Sequence, residues 1–294
     1  MRSMPFDLAR STAVAKLDRA PGWYVACLDD GWSYLTPSGG VLMSVAMRAM
    51  AAELNDSSFL PVSANTLFCS PVPAGPLEVR VEVIRAGGAA AQLRAALSST
   101  TRPGPGLEVS ATFARRRKGH GVLGLQPPSF PKPEQCPEAG NIPRIAAGRT
   151  PRAFFDNFDM RLAHGSRIWE PSGWHGDDAR WACWYRYKEP QRLACGSFDP
   201  FAIPPIADTM PGALANYLGP EKRFFAPSLD LTVHFIEATD AQWFLVDSRC
   251  QRAWDGYATA DADIWDDTGR LVARTTQTMI LRDPARMEGF RADG

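Results

Sequence analysis

The chain has 294 residues, 45% hydrophobic and 22% charged, with 32 Lys+Arg balancing 32 Asp+Glu. The length allows two ordinary domains, each with its own core, and zero formal net charge excludes a strong field drawing nucleic acid or an anionic membrane. Six scattered cysteines without a Cys-x-x-Cys pair, and no run near the ~20 apolar residues of a membrane span, point away from a disulfide framework, a cysteine-based metal site and a transmembrane chain.

Residues 1–22 lack a continuous apolar stretch and read as no signal peptide, so a reduced, cytoplasmic protein is expected. Short strands are expected at Thr12–Leu17 and Trp23–Leu28. Gly39-Gly40 then lead into residues 41–54, rich in Ala, Met and Leu with only Arg48 and Glu53 charged. A helix apolar on nearly every side is a buried helix. Strand-like runs follow at Leu60–Ser70, Leu77–Arg85, Ala90–Ser98 and Leu107–Arg116, separated by turn signals at residues 73–76, Gly87-Gly88 and Pro103-Gly104. The basic run Arg115–Lys118 reads as a solvated strand end.

Gly119–Arg152 holds Pro127, Pro128, Pro131, Pro133, Pro137, Pro143 and Pro151 with no helix or strand period, so it reads as an extended connector. Its GxGxxG match, Gly119 to Gly124, leads into prolines instead of a helix, which argues against a dinucleotide site. The second half repeats the first. Strand-like segments at Phe154–Leu162 and Trp181–Arg186 precede an apolar helix at Pro204–Leu218, interrupted by Pro211-Gly212. Then come Leu229–Ile236, Trp243–Gln251, Tyr257–Trp265 and Leu271–Leu281. A buried helix followed by four antiparallel strands, twice, predicts an α+β double hotdog in which each sheet wraps a central helix. The boundaries are 1–118 for the first unit, 119–152 for the linker and 153–294 for the second.

The two units are related by a faint repeat at an offset of 166 residues. Pro227 and Thr232 fall opposite Pro61 and Thr66, and Thr278 and Arg282 opposite Thr112 and Arg116. Three positions break the repeat: Asp208 stands opposite Leu42, Ser228 opposite Val62, and Gln277 opposite Ala111. Polar groups in one copy against apolar ones in the other predict a working site in the C-terminal half.

Four segments, Tyr34-Leu-Thr-Pro-Ser-Gly-Gly-Val41, Ile206-Ala-Asp-Thr209, Pro227-Ser-Leu-Asp-Leu-Thr-Val-His-Phe235 and Leu271-Val-Ala-Arg-Thr-Thr-Gln277, resemble the type II (TesB-like) acyl-CoA thioesterases, which have the double-hotdog fold. The resemblance covers both halves and is weaker in the linker and in residues 165–195. It implies an acyl-CoA substrate, no cofactor and no metal, a homodimer, and a catalytic aspartate, threonine and glutamine. These fall on Asp208, Ser228 and Gln277, with serine in place of the family's threonine. It also implies that Gly39 and Gly40 shape the acyl or pantetheine channel.

A thioester is electrophilic enough for direct attack by a positioned water. Asp208 would act as general base, Ser228 would orient the water or the aspartate, and Gln277 would offer its amide to the oxyanion or the water. Each residue also has a plain structural reading. Asp208 could complement the dipole of its own helix, Ser228 could form a turn, Gln277 could face solvent beside Thr276 and Thr278, and the glycines could serve close packing. His234 and Asp230 read as structural, and the tryptophans (Trp169, Trp174, Trp181, Trp184, Trp243, Trp254 and Trp265) as core or acyl-pocket residues. Two other functions fit the fold: an acyl-CoA binding module without turnover, and a hydratase. The hydratase would rest on the Asp159-x-x-x-x-His164 spacing.

Overall fold

The computed structural model describes residues 6–18, 20–140, 152–167, 178–220, 222 and 224–283. Asp7 opens a short helix, α1 (Leu8–Ser11), by accepting hydrogen bonds from the N–H groups of Ala9 and Arg10. This cap shortens the strand expected over Thr12–Leu17 to β1 (Ala15–Lys16). There follow β2 (Trp23–Leu28), α2 (Gly39–Leu54), β3 (Leu60–Phe68), β4 (Gly75–Ala86), β5 (Ala90–Ser99) and β6 (Leu107–Ala114). The second half contributes β7 (Phe158–His164), β8 (Arg180–Tyr187), α3 (Ile203–Ala207), α4 (Pro211–Leu218), β9 (Asp230–Phe235), β10 (Phe244–Trp254), β11 (Tyr257–Asp266) and β12 (Leu271–Ile280).

All strands join one 12-stranded antiparallel sheet in the order β1-β2-β4-β5-β6-β3-β9-β12-β11-β10-β8-β7. The order reads alike from both ends, so a pseudo-twofold axis passes between β3 and β9, where Asn65 faces Thr232 and Thr66 faces Leu231. This is the double hotdog. Its core runs along the inner face, with Val41, Met43, Val45, Met47 and Met50 of α2 fully enclosed, as the apolar surround of that helix requires.

The second central helix is broken into α3 and α4. Pro211 has no N–H to donate to Ala207, and its ring would collide with that carbonyl in a continuous helix. Asp208 therefore caps the C-terminus of α3.

The described part of the connector crosses the opposite face of the second unit. Phe130 and Cys136 pack there with Trp184, Trp243, Leu245 and Trp265, and Trp184 donates to the Pro131 carbonyl at 3.0 Å. These three tryptophans fill a second core. Pro143, Pro151, Trp169, Trp174 and His175 lie outside the described residues.

The strand register corrects one detail of the repeat. Ser228 faces Met279 as Pro61 faces Phe113, and Val62 is the extra residue of a bulge between Pro61 and Ser63. Pro61, which carries no hydrogen-bonding side chain, takes the place of Ser228 in the first unit.

Candidate active site

Three elements of the second unit and the start of α2 from the first converge on Asp208, which is 7% exposed. Its Oδ1 accepts from Ser228 Oγ at 3.0 Å and from Gln277 Nε2 at 2.6 Å. Its Oδ2 accepts from the Gly40 N–H at 3.0 Å and Ser38 Oγ at 3.1 Å. Gln277 Nε2 also donates to Ser228 Oγ at 2.6 Å. Four donors match the four lone-pair positions of a carboxylate.

The helix-dipole reading of Asp208 changes accordingly. Asp208 ends its own short helix, and its carboxylate lies instead at the N-terminus of α2, where the dipole and a free first-turn N–H favour an anion. Burial is the largest influence on its pKa and pushes it up; the hydrogen bonds from Gly40, Ser228, Gln277 and Ser38 pull it down without cancelling that rise. Nearby Tyr34 is pushed well above its ordinary value, by enclosure first and then by the charge of Asp208.

Gln277 does not face solvent. It is 2% exposed on the inner face of β12, while Arg274 and Thr276 point outward. Its Nε2 lies within hydrogen-bond distance of both Asp208 Oδ1 and Ser228 Oγ, so the amide nitrogen that its residue type offers to an oxyanion is engaged inside the cluster. What it leaves open is Oε1, a buried acceptor with no partner among the described residues. Ser228 lies just before β9, and Leu229 N–H and Ile280 N–H tie its neighbours to β12.

The two glycines serve close approach. A Cβ on Gly40 would sit 2.2 Å from the Pro204 carbonyl oxygen, and one on Gly39 would sit 2.6 Å from the Phe68 ring and 3.2 Å from Asp208 Oδ2. Gly40 lets α2 and α3 touch; Gly39 keeps the approach to the carboxylate open. The Gly39 N–H has no acceptor among the described residues.

Ser38 was not singled out by the sequence. As the residue before α2 it looks like an ordinary N-cap, yet its hydroxyl makes no cap bond and turns to Asp208, 170 positions away. At the pseudo-equivalent positions the first unit has Leu42, Pro61 and Ala111, and Pro204 stands at the counterpart of Ser38. The hydratase pair does not form: Asp159 binds Arg186 at 2.8 Å, and His164 binds Asp178 at 2.9 Å. Asp230 accepts from the Thr278 N–H at 2.9 Å, a structural role, and His234 is exposed.

Among the described residues no group of three or more His, Cys, Asp and Glu could hold a metal ion, and no helix is long and apolar enough to cross a membrane.

A general base must be ionised to act, so with Asp208 in that role and its pKa shifted upward, activity is expected above the raised pKa. It will fall as pH drops through a midpoint higher than that of an ordinary exposed carboxylate. A profile of kcat/KM against pH checks this; an acid limb at or below the usual carboxylate range would contradict it.

Comparison with known proteins places this geometry in context. Residues 133–281 match the model of the acyl-CoA thioesterase C-terminal domain, and residues 28–114 that of the N-terminal domain. No curated protein matches the chain. Among solved structures, an acyl-CoA thioesterase II, TesB2, from Mycobacterium marinum is similar with a TM-score of 0.72 and 19% identity, over 95% of this chain and 100% of that one. A conserved hot dog fold protein of unknown function from Alicyclobacillus acidocaldarius gives 0.76 and 18%, over 94% and 98%. The TesB protein of Mycobacterium avium subsp. paratuberculosis gives 0.71 and 16%, over 94% and 98%. At these identities the structural likeness speaks for the fold.

Proposed function

Since the chain belongs to the acyl-CoA thioesterase family, we propose that it hydrolyses a fatty acyl-CoA to the free acid and coenzyme A by direct attack of water at Asp208, Ser228 and Gln277. The observation that carries this reading is the Asp208–Ser228–Gln277 cluster with one buried acceptor, Gln277 Oε1, left unpartnered.

A water hydrogen-bonded to Gln277 Oε1 and to the remaining lone pair of Ser228 Oγ would stand beside the thioester carbon. As its oxygen attacks, its proton passes through the Ser228 hydroxyl to Asp208. The developing oxyanion needs donors that do not already face the carboxylate, and the Gly39 N–H at the start of α2 supports that role. Collapse breaks the C–S bond, and the proton on Asp208 returns to the departing thiolate. Gly39, beside Phe68 and the carboxylate, and Gly40, through the close contact of α2 with α3, would shape the acyl or pantetheine channel.

Serine in place of the family's threonine keeps the hydroxyl and loses a methyl that restricts its rotamer. Ser228→Ala will lower kcat by roughly a hundredfold, whereas Ser228→Thr will retain the reaction. Equal activity of Ser228→Ala and wild type in steady-state assays would remove Ser228 from the mechanism.

The proposal as a whole is tested by free-thiol release from short-, medium- and long-chain acyl-CoAs. Release from none of them would overturn it. A homodimer of chains belongs to the same reading, and light scattering at the mass of a single chain would contradict that part.

A further inference from the structure

We propose that Ser38 is a positioning residue for Asp208, through which the first unit sets the orientation and basicity of a base carried by the second. This rests on the reading of Asp208 as the general base.

Three observations point the same way. Ser38 occupies the N-cap position of α2, where a serine hydroxyl normally accepts from an N–H of the first turn, but it makes no such bond. Ser38 is 1% exposed, and among the described residues the side-chain partner of its hydroxyl is Asp208 Oδ2 at 3.1 Å. Together with the Gly40 N–H it occupies Oδ2, while Ser228 and Gln277 occupy Oδ1. The carboxylate is thus held from both ends, one oxygen by each unit. Without the Ser38 and Gly40 donors the plane of the carboxylate would be free to rotate, and Oδ1 would no longer be fixed against Ser228.

Among the described residues Asp208 takes its hydrogen bonds from Ser38, Gly40, Ser228 and Gln277 and from no charged side chain. The first turn of α2 has no acidic residue, and Arg48 farther along pairs with Asp199. Asp230 of β9 is engaged by the Thr278 N–H, and Arg274 of β12 pairs with Asp263. Tyr34 stays neutral throughout the acid range, with Arg152 over its ring at 5.6 Å.

Removing the hydroxyl deletes a hydrogen bond to the ionised form of Asp208, which raises the pKa of that carboxyl. Ser38→Ala, and Ser38→Gly as a second N-cap variant, are therefore expected to move the acid limb of kcat upward by about one pH unit and to lower kcat at neutral pH about tenfold. KM should change little. In the Asp208→Asn background the same substitution should add no comparable loss. Because the N-cap bond is already absent, the melting temperature at neutral pH should fall only by the few degrees that losing one hydrogen bond to the carboxylate entails.

A wild type without thioesterase activity would sink the underlying reading. An active wild type whose Ser38 variants keep the original acid limb and kcat would overturn this inference alone. So would equal losses in the wild-type and Asp208→Asn backgrounds.

Discussion

Asp208→Asn will lower kcat/KM for acyl-CoA hydrolysis by roughly a thousandfold, within the 10²–10⁴ range of general-base catalysis, without unfolding the protein. Asparagine keeps the shape and one acceptor but cannot take a proton from water. Its amide nitrogen would also have to face donors, either Ser228 and Gln277 at one end or Ser38 and the Gly40 N–H at the other. A hydroxyl can reverse its hydrogen bond; the backbone N–H of Gly40 cannot. The smallest conflict therefore leaves the amide nitrogen on the Oδ1 side, against Gln277, whose own amide can flip to present oxygen. In that arrangement Gln277 Oε1 would no longer be open to the proposed water, so the substitution would remove the proposed base and the proposed acceptor together. Thiol-release kinetics alongside a thermal melt check the prediction; activity within tenfold of wild type in a folded variant would move the base elsewhere.

Gly40→Ala is the second large effect, and its sign needs two terms. Alanine favours a helix over glycine by about 0.5–1 kcal/mol. Against that, the new Cβ would lie 2.2 Å from the Pro204 oxygen, 2.6 Å from its carbonyl carbon and 2.8 Å from Pro205 Cα, all backbone. No flexible side chain can yield, so α2 and α3 must separate, at a cost of about 1–3 kcal/mol or more for an overpacked contact. Overpacking wins. A separation of about 1 Å also draws the Gly40 N–H and Ser38 away from Asp208, and misplacement of that size lowers rates by roughly a hundredfold. A Tm drop of several degrees with loss of kcat is the expected pair of results. An unchanged melt would mean that the two helices have room the geometry denies.

Much of this site was legible in the sequence because its residues break a pattern. Asp208 and Gln277 stand where the first unit has Leu42 and Ala111, and the structure brings them together with Ser228. The inward direction of Gln277 could have been read too. Arg274 must face out, and alternation along β12 then puts Thr276 outward and Gln277 inward. The bulge at Val62 could not be read, because one extra residue in a strand leaves composition and spacing nearly unchanged. Nor could the role of Ser38, since its partner is 170 positions away and its local context is that of any N-cap. In α1 the signal was present, an aspartate before Leu8-Ala9-Arg10, but four residues are too few for a helical period. The helix break at Pro211 was visible as an interruption; that it would place Asp208 at the start of the other unit's helix follows only from the packing of α2 on α3.

The measurement that tests direct attack by water most closely is a single turnover in H₂¹⁸O, with excess enzyme and rapid quench. The account predicts one ¹⁸O in the released carboxylate during the first turnover, unlabelled Asp208, and no acylated protein by intact-mass analysis. Unlabelled acid with ¹⁸O in Asp208, or an acyl group trapped on Ser228 or Asp208, would show a covalent intermediate and contradict it.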